Sequence, residues 1–347
     1  MAEEQQTQSH KFNEFYNKNY KKFLIFPAIL LIISISYMVY FYNANHDFIK
    51  KDVSLTGGTS ITIFTEMDFD SLNQQLSSKI TDFSIRQLSD FRTGKQQAII
   101  IESSMNSEQL KPIIEEILGF SLTSENSSIE FSGSDMSQSF FKQLVLSILI
   151  AFSFMAYVVF LLFGFGRKLK ILTGFLTIIP PILFFTNVLS IGISSILIIS
   201  FLIINIIFYT KNSIPSIAVI FSAFADIFMT LSVVNLLGIR LSSAGIVAFL
   251  MLIGYSVDTD IMLTTRVLKR RHEGELNKRI LESLKTGLTM TLTSISAILV
   301  ALIITRTFSE TLQQIFTILI IGLIFDIINT WVTNTSIIKW YIEKIYK

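Results

Sequence analysis

The stretch "GYSVDTDIMLTTR", residues 254–266, places Asp258 and Asp260 inside a long apolar run that ends at an arginine. A charged side chain at the middle of a bilayer costs on the order of 2.5–3.5 kcal/mol, so acidic residues at membrane depth usually mark ion or proton pathways. The stretch therefore predicts a membrane-spanning helix that carries a functional site.

The composition of the whole chain also indicates a membrane protein. Of the 347 residues, 51% are hydrophobic and only 16% are charged, whereas soluble domains carry roughly 25% charged residues. Cysteine is absent and the three histidines are scattered, which excludes thiolate chemistry and disfavours a metal site. The sequence has no phosphate loop and no nucleophile–base pair, so we predict no enzyme activity, no cofactor and no nucleic-acid partner.

Apolar segments of about 20 residues, the length that crosses a bilayer, recur along the chain. The eight predicted spans are residues 23–42, 142–163, 171–189, 192–210, 214–237, 241–263, 287–305 and 313–336. The pair 171–210 has an alternative interpretation as a re-entrant hairpin, because "IIPPI" at 178–182 would kink or break its first helix. The expected fold is a polytopic α-helical bundle.

The distribution of charge predicts the orientation of the bundle in the membrane. Basic residues gather in the tail 1–22, in 164–170, in the loop 264–285 (seven basic, three acidic) and in 337–347. Lysine and arginine favour the cytoplasmic side of short loops, and eight alternating spans put all four segments on one side. We therefore predict a cell-membrane protein with both termini in the cytoplasm and residues 43–141 outside.

Residues 43–141 have the pattern of one small α+β domain. β-forming residues cluster at 59–65, 97–103 and 127–133, and segments 68–80 and 106–118 combine an N-cap with helical spacing of apolar residues. A strand–helix–strand–strand–helix–strand order is that of a ferredoxin-like domain. The bundle proper then occupies residues 142–336.

Gly57 and Gly58 lie between the first span and the first predicted strand. Glycine tolerates positive φ, so the pair predicts a tight turn. A hinge that lets the outer domain swing is the alternative, and the two interpretations are compatible.

Four acidic residues lie at membrane depth: Asp226, Asp258, Asp260 and Asp326. A carboxyl group in this position can take up a proton from one side and release it to the other, so we predict that the four form a proton relay. The alternative is a protonated acid that only hydrogen-bonds a neighbouring helix.

The spacing separates the two acids of the quoted stretch. At about 100° per residue, Asp258 and Asp260 point about 200° apart on one helix and cannot both line one channel. Asp260 shares its face with Ser256 and Thr264, whereas Asp258 shares its face with Gly254, where a neighbouring helix can approach closely. One aspartate is predicted to relay protons and the other to bond a neighbouring helix or a partner subunit.

The next predicted span offers hydroxyl groups at helical spacing. Thr289, Thr293 and Ser296 stand at i, i+4 and i+7. They are predicted either to support a facing carboxyl group through hydrogen bonds or water, or to pack neighbouring helices together.

Five segments carry a resemblance to a known family. "DVSLTGGTSI" (52–61) resembles the signature that opens the outer domain of the SecD/SecF family of protein-export subunits. "GYSVDTDIMLTTRV" (254–267) resembles the fourth-helix motif of the archaeal form of SecF. Three more segments resemble the neighbouring helices of that form: "FSAFADIFMTL" (221–231), "LKTGLTMTLTS" (284–294) and "FDIINTWVTN" (325–334).

The resemblance implies half of a resistance–nodulation–division (RND) transporter, with six helices and a ferredoxin-like domain between the first two. It implies a subunit surrounded by membrane lipids that pairs with SecD beside the Sec protein-conducting channel. The implied task is to assist the late translocation and release of exported polypeptide chains, driven by protons. Residues 171–210 would be an insertion of two spans. An RND-type exporter of small molecules or lipids, and a structural partner that moves no protons, are the alternatives.

Two positions depart from the bacterial form of the family. The aspartate of its motif aligns with Thr259, while Asp258 matches the position used in the related SecD motif. An arginine of its fifth helix aligns with Thr286. The resemblance therefore leaves open which aspartate would carry the proton.

Overall fold

A computed structural model describes residues 19–65, 67–89, 93, 95–186, 190–270, 272, 274–306 and 309–345. They form a helical bundle that carries a small four-stranded domain between its first two long helices. Most of the predicted N-terminal tail (residues 1–18), residues 187–189 of the third predicted span, and residues 346–347 lie outside the described residues.

Among the described residues, strands occur only in the outer domain, where they alternate with helices, and the rest of the secondary structure is helical. In chain order the helices are α1 (Ile25–Asn45), α2 (Val53–Thr56), α3 (Phe69–Lys79), α4 (Ser107–Leu118), α5 (Ser134–Phe163), α6 (Arg167–Phe185), α7 (Ile191–Asn212), α8 (Ile214–Leu236), α9 (Ser243–Lys269), α10 (Leu276–Thr305), α11 (Glu310–Ile328) and α12 (Thr335–Ile345). The strands are β1 (Gly58–Ile63), β2 (Phe83–Ser89), β3 (Gln96–Ser103) and β4 (Ser127–Ser132). A π-helical segment, Asn329–Asn334, joins α11 to α12.

Eight segments of the described residues are long and apolar enough to cross a membrane, which confirms the predicted number. Several of these helices are longer than the predicted spans. Helix α5 begins at Ser134 rather than at 142, and α10 begins at Leu276 rather than at 287. Hydropathy marks only the apolar part of a helix, whereas backbone hydrogen bonding continues into polar turns beyond it.

The inserted pair of spans consists of two full helices, α6 with 19 residues and α7 with 22. Helix α6 passes through Pro180 and Pro181 and ends at Phe185, so the prolines lie near its end without interrupting it. Asn205 of α7 donates to the Thr177 hydroxyl of α6 at 3.1 Å. Both lengths fall in the range that crosses a bilayer, which favours two spans over a re-entrant hairpin.

The outer domain is ferredoxin-like, as its predicted order of elements implied. Its antiparallel sheet has the strand order β2-β3-β1-β4. Helices α3 and α4 cover one face of the sheet, where Ile61, Ile101, Leu72 and Ile114 form part of a fully buried apolar core. The second strand, β2, had no sequence segment assigned to it and completes the predicted order.

The domain is bonded to the outer end of α9. Leu241, just before that helix, exchanges backbone hydrogen bonds with the chain that enters the domain: it donates to Lys50 at 2.6 Å and accepts from Asp52 at 3.1 Å. The amide of Ser243 also donates to the hydroxyl of Ser54 at 3.0 Å. These bonds fix the start of the domain against the start of α9.

A second attachment joins the domain to the outer end of α11. Arg86 of β2 forms an ion pair with Glu102 of β3 at 2.6 Å and another with Glu310, the first residue of α11. One guanidinium group therefore holds the uncovered face of the sheet against the bundle.

Gly57 and Gly58 form a tight turn between α2 and β1, with φ of +83° and +135°. A Cβ on Gly57 would lie 2.4 Å from Cα of Ser134, and one on Gly58 would lie 2.3 Å from the carbonyl oxygen of Ser103. Both positions thus require glycine for conformation and for space. Hinge motion at this turn stays a prediction.

Gly57→Ala is expected to destabilise the outer domain more than Gly119→Ala. Gly119 also has positive φ (+75°), but a Cβ there would meet nothing within 4 Å. Strain alone should cost Gly119→Ala about 1–2 kcal/mol, and the clash with Ser134 should add about 1–3 kcal/mol at Gly57. Hydrogen exchange of the β1 and β4 amides measures both losses, and equal losses would contradict the close packing at Gly57.

The stability of the domain attachment should depend on pH through Asp52. Burial raises the pKa of this carboxyl above its usual 3.8, against the hydrogen bonds from Ser54. The folded chain then binds the proton more tightly than the unfolded chain, so the free energy of unfolding falls as the pH rises from 3.8 through the raised pKa.

Asp52→Asn is expected to remove this part of the pH dependence, because the amide cannot ionise but keeps an oxygen that can accept from Ser54. Hydrogen exchange of the α2 and β1 amides over a pH series, corrected for intrinsic rates, provides the measurement. A variant with the same slope as the unaltered chain would show that Asp52 is not the group responsible.

Candidate functional site

Three of the four intramembrane carboxyl groups meet inside the bundle. Asp226 of α8, Asp260 of α9 and Asp326 of α11 are each 0% exposed. Each comes from a different helix and points to the same interior region, so we call these three residues the carboxyl cluster.

Every member of the carboxyl cluster accepts a hydrogen bond from an uncharged side chain. Asp226 accepts from the Ser256 hydroxyl at 2.6 Å and from the Asn329 amide at 2.7 Å. Asp260 accepts from the Asn334 amide at 2.6 Å, and Asp326 accepts from the Thr330 hydroxyl at 3.0 Å.

Three of these four donors come from the π-helical segment. Successive turns of a π-helix are closed by i→i+5 hydrogen bonds, so residues five apart stack on one side. In a regular α-helix, Asn329 and Asn334 would point about 140° apart. The widened turn therefore lets one short segment serve Asp226 and Asp260 together.

The carboxyl cluster keeps free acceptor atoms. Oδ2 of Asp260 and Oδ2 of Asp326 are buried and accept no hydrogen bond from the described residues, and the buried hydroxyl of Thr264, one turn along α9, is also without a partner there. No lysine, arginine or histidine among the described residues bonds any of the three acids. Such a group of acids surrounded by neutral donors is suited to binding and releasing protons.

Asp258, the fourth predicted acid, lies apart from the carboxyl cluster. Helix α9 turns Asp258 and Gly254 to the outside, while Asp260 and Ser256 face the interior. A Cβ on Gly254 would meet nothing within 4 Å. Within the part of the chain that the structure describes, no helix makes the close approach that was predicted at this glycine.

The predicted hydroxyl groups of α10 are not brought to any carboxyl group. Thr289, Thr293 and Ser296 are exposed, and each donates to a carbonyl oxygen four residues earlier in its own helix at 2.8–2.9 Å. Helical spacing places the three residues on one face of α10, but periodicity does not say which way that face points.

The described residues contain no group of three or more histidine, cysteine, aspartate or glutamate side chains arranged to hold a metal ion.

Comparison with known proteins identifies the family. The family described as protein export membrane protein SecD/SecF, C-terminal, matches residues 182–344. The SecF protein-export membrane protein of Methanocaldococcus jannaschii is 36% identical over 336 residues, which cover 94% of this chain and 97% of that protein. The chain belongs to the SecF family. A second archaeal SecF, from Methanolacinia petrolearia, is 28% identical over 93% of this chain and 94% of its own length.

A solved structure confirms the fold of this SecF-family chain. The crystal structure of SecDF, a translocon-associated membrane protein from Thermus thermophilus, matches with a TM-score of 0.60 at 13% identity. The match covers 93% of this chain but only 38% of the SecDF chain. The predicted family and the predicted multi-pass membrane fold are thus both confirmed.

Thr286 of this SecF-family chain stands where the bacterial form of the family has an arginine. The hydroxyl of Thr286 on α10 accepts a hydrogen bond from the guanidinium group of Arg266 on α9 at 3.2 Å. A guanidinium group therefore lies beside this position, although it comes from another helix.

The residues that the sequence reasoning missed are the donors Asn329, Thr330 and Asn334. They lie in "NTWVTNTS" (329–336), a polar stretch inside an apolar span. That density of amides and hydroxyl groups at membrane depth was the available signal, because polar side chains buried in a membrane need partners. Which of these donors bonds which carboxyl group depends on the widened turn of the π-helical segment.

Asn334→Ala is expected to lower the stability of the solubilised protein by about 1–3 kcal/mol, because Oδ1 of Asp260 would lose its donor in a dry interior. Thr293→Ala is the matched control: its hydroxyl is exposed and bonds only its own helix, so its effect should stay within about 0.5 kcal/mol. Thermal unfolding of the two variants in the same detergent compares them, and similar losses would contradict the bonding of Asp260 by Asn334.

Proposed function

We propose that this chain is an auxiliary subunit of the Sec protein-export machinery, which pairs with SecD beside the protein-conducting channel. It would use the proton-motive force to assist late translocation and release of exported polypeptides. The buried carboxyl cluster carries the proposal, because three acids without a cation at membrane depth are costly to keep unless their protons are used.

In the proposed mechanism Asp260 and Asp326 hold the exchangeable protons, since each keeps a free oxygen, while Asp226 has both oxygens occupied. Loss of a proton from either acid would strengthen its bond to the segment 329–334, because hydrogen bonds to a charged acceptor are about twice as strong. Each proton step would thereby change how this segment packs against α8 and α9.

The geometry offers a route from that change to the outer domain. Helix α9 carries Asp260 and is bonded through Ser243 to the domain. Helix α11 carries Asp326 and is held through Glu310 to Arg86. A displacement at the carboxyl cluster would therefore reach both attachments of the domain.

The surface around Asp258 supports the proposed pairing with SecD. One stripe along α9 is exposed at helical spacing and consists of Val247, Met251, Gly254, Tyr255 and Asp258. The neighbouring helix α10 is the least buried of the eight spans. A carboxyl group facing lipid is unfavourable, so this stripe is suited to a partner helix that supplies a hydrogen-bond donor.

Orientation in the membrane is part of the proposal: both termini in the cytoplasm and the outer domain outside. The outer region 43–141 has 14 acidic and seven basic residues, and the segment 264–285, which the structure divides among the end of α9, a short connection and the start of α10, has the opposite bias. An RND-type exporter of small molecules or lipids is disfavoured, because such a chain would carry about twelve spans and two outer domains, whereas the described residues form eight candidate spans and one outer domain.

The proposal is tested by export of a reporter preprotein into proteoliposomes that contain SecD and the channel, with and without an imposed proton gradient. Asp260→Asn should reduce export to the level found without a gradient, because the amide cannot release a proton. Asp258→Asn should keep the gradient-dependent part once the complex has formed, but should weaken co-purification with SecD.

Two other results are informative. If Asp260→Asn and Asp326→Asn both keep gradient-dependent export in an intact complex, the acids only join helices and the chain is a structural partner. If the unaltered chain adds nothing to export with a gradient, the assigned task itself is wrong.

A further inference from the structure

Among the described residues, strand β4 lies at the edge of the sheet and pairs only with β1. At the end of this ladder the amide of Phe64 donates to the carbonyl of Asn126 at 2.9 Å. Hydrogen-bonded and non-bonded residue pairs alternate along an antiparallel ladder, so the bonds to β1 fall at Ser128, Glu130 and Ser132. The N–H and C=O groups of Ile129 and Phe131 therefore point away from β1, toward the free edge.

This edge is uncovered among the described residues. The side chains of Ile129 and Phe131 are 37% and 55% exposed although both are apolar. Proteins usually protect an edge strand with lysine, proline, a bulge or a covering element, because outward backbone groups are a template for another strand. Strand β4, "SSIEFS", has a single charged residue, Glu130, and no proline.

The edge borders an acidic cleft of ≈ 700 Å³ between the uncovered face of the sheet and the outer ends of α9 and α11. Glu130 lies on this face beside Ser60, because residues opposite each other in a ladder point the same way. The described residues that line the cleft include Asp52, Glu102, Glu130 and Glu310 but no lysine or arginine. Arg86, which pairs with Glu102 and Glu310, offsets part of this charge.

We propose that β4 binds an extended segment of a polypeptide by strand addition, with basic side chains directed into the acidic cleft. Side chains of an added strand alternate between the two faces of the sheet. Those on the cleft side would meet Glu130 and the neighbouring carboxylates, and those on the other side would meet Ile129 and Phe131. The preferred segment alternates basic and apolar residues.

The inference rests on the proposed export function in one respect: export would supply extended polypeptide on the side of the membrane where the outer domain lies. An unfolded polypeptide has free backbone groups along its length and can add to a sheet edge without first unfolding. Strand addition draws its affinity from main-chain hydrogen bonds and its selectivity from alternate side chains. It therefore suits a surface that must bind many different exported chains weakly.

The probes are fluorescent peptides of about eight residues, the length of a strand, one alternating valine with lysine and one alternating valine with glutamate. Binding to the full chain in nanodiscs is followed by anisotropy without any proton gradient. We expect the lysine peptide to bind in a salt-sensitive manner and the glutamate peptide not to bind.

Hydrogen exchange gives a signature that ordinary charge attraction would not produce. The bound lysine peptide should slow exchange of the outward amides of Ile129 and Phe131. The amides of Ser128 and Glu130 already bond β1 and should change little. Uniform protection of the strand, or none, would overturn strand addition.

Two variants isolate the edge and the charge. Ile129→Pro removes an outward N–H that β1 does not use, so the sheet can tolerate it, and affinity should fall about tenfold. Ile129→Val keeps that N–H and is the matched control. Glu130→Lys should weaken lysine-peptide binding and allow the glutamate peptide to bind.

Folding of each variant is checked through protection of the β1–β3 ladder. If Ile129→Pro disrupts that ladder, Glu130→Lys and the exchange pattern of the unaltered chain still decide the question. Unchanged affinity in both variants would overturn the proposal.

A loss of SecD co-purification or a change of oligomeric state in Ile129→Pro would also overturn it, because the edge would then belong to a subunit interface. None of these results depends on gradient-driven export, which is measured separately.

Discussion

A carboxyl group that leaves water must keep hydrogen-bond partners or give up its charge, and this constraint governs the centre of the bundle. Asp226 and Asp260 approach α11 from two different helices. Each accepts a hydrogen bond from an amide because Asn329–Asn334 widens into a π-helical turn and directs two amides to one side. A regular helix would leave one acid without its donor, so the irregular segment is a condition of the site.

The same two helices that hold the inner acids also hold the outer domain. With a rise of 1.5 Å per residue, Asp260 lies about 26 Å along α9 from Ser243, and Asp326 lies about 24 Å along α11 from Glu310. In the proposed mechanism, an unbroken helix of this length would transmit a change of packing at the acids to its outer end. The acidic cleft lies between those ends and the sheet.

Physical periodicity explains which features could be predicted from the sequence. Hydropathy predicted eight spans, and three clusters of β-forming residues with two helical segments predicted the ferredoxin-like order although β2 was not recognised, because these patterns are set by local burial. The outward face of Thr289, Thr293 and Ser296 could not be predicted, since helical spacing fixes which residues share a face but not what that face meets. The roles of Asn329 and Asn334 were hidden for another reason: the assumed 3.6-residue repeat fails where they lie.

Asp258 and Asp260 lie two residues apart on α9 but face different surroundings. The rotation of about 200° between them buries Asp260 among neutral donors and turns Asp258 out onto an uncovered stripe. The interior acid accepts one hydrogen bond from this chain and keeps one oxygen without a described partner, whereas the outward acid, like the outward backbone groups of β4, lies on an uncovered surface of the described residues. Under the proposed function, the exposed stripe on α9 would contact a partner in the membrane and β4 an extended polypeptide outside it.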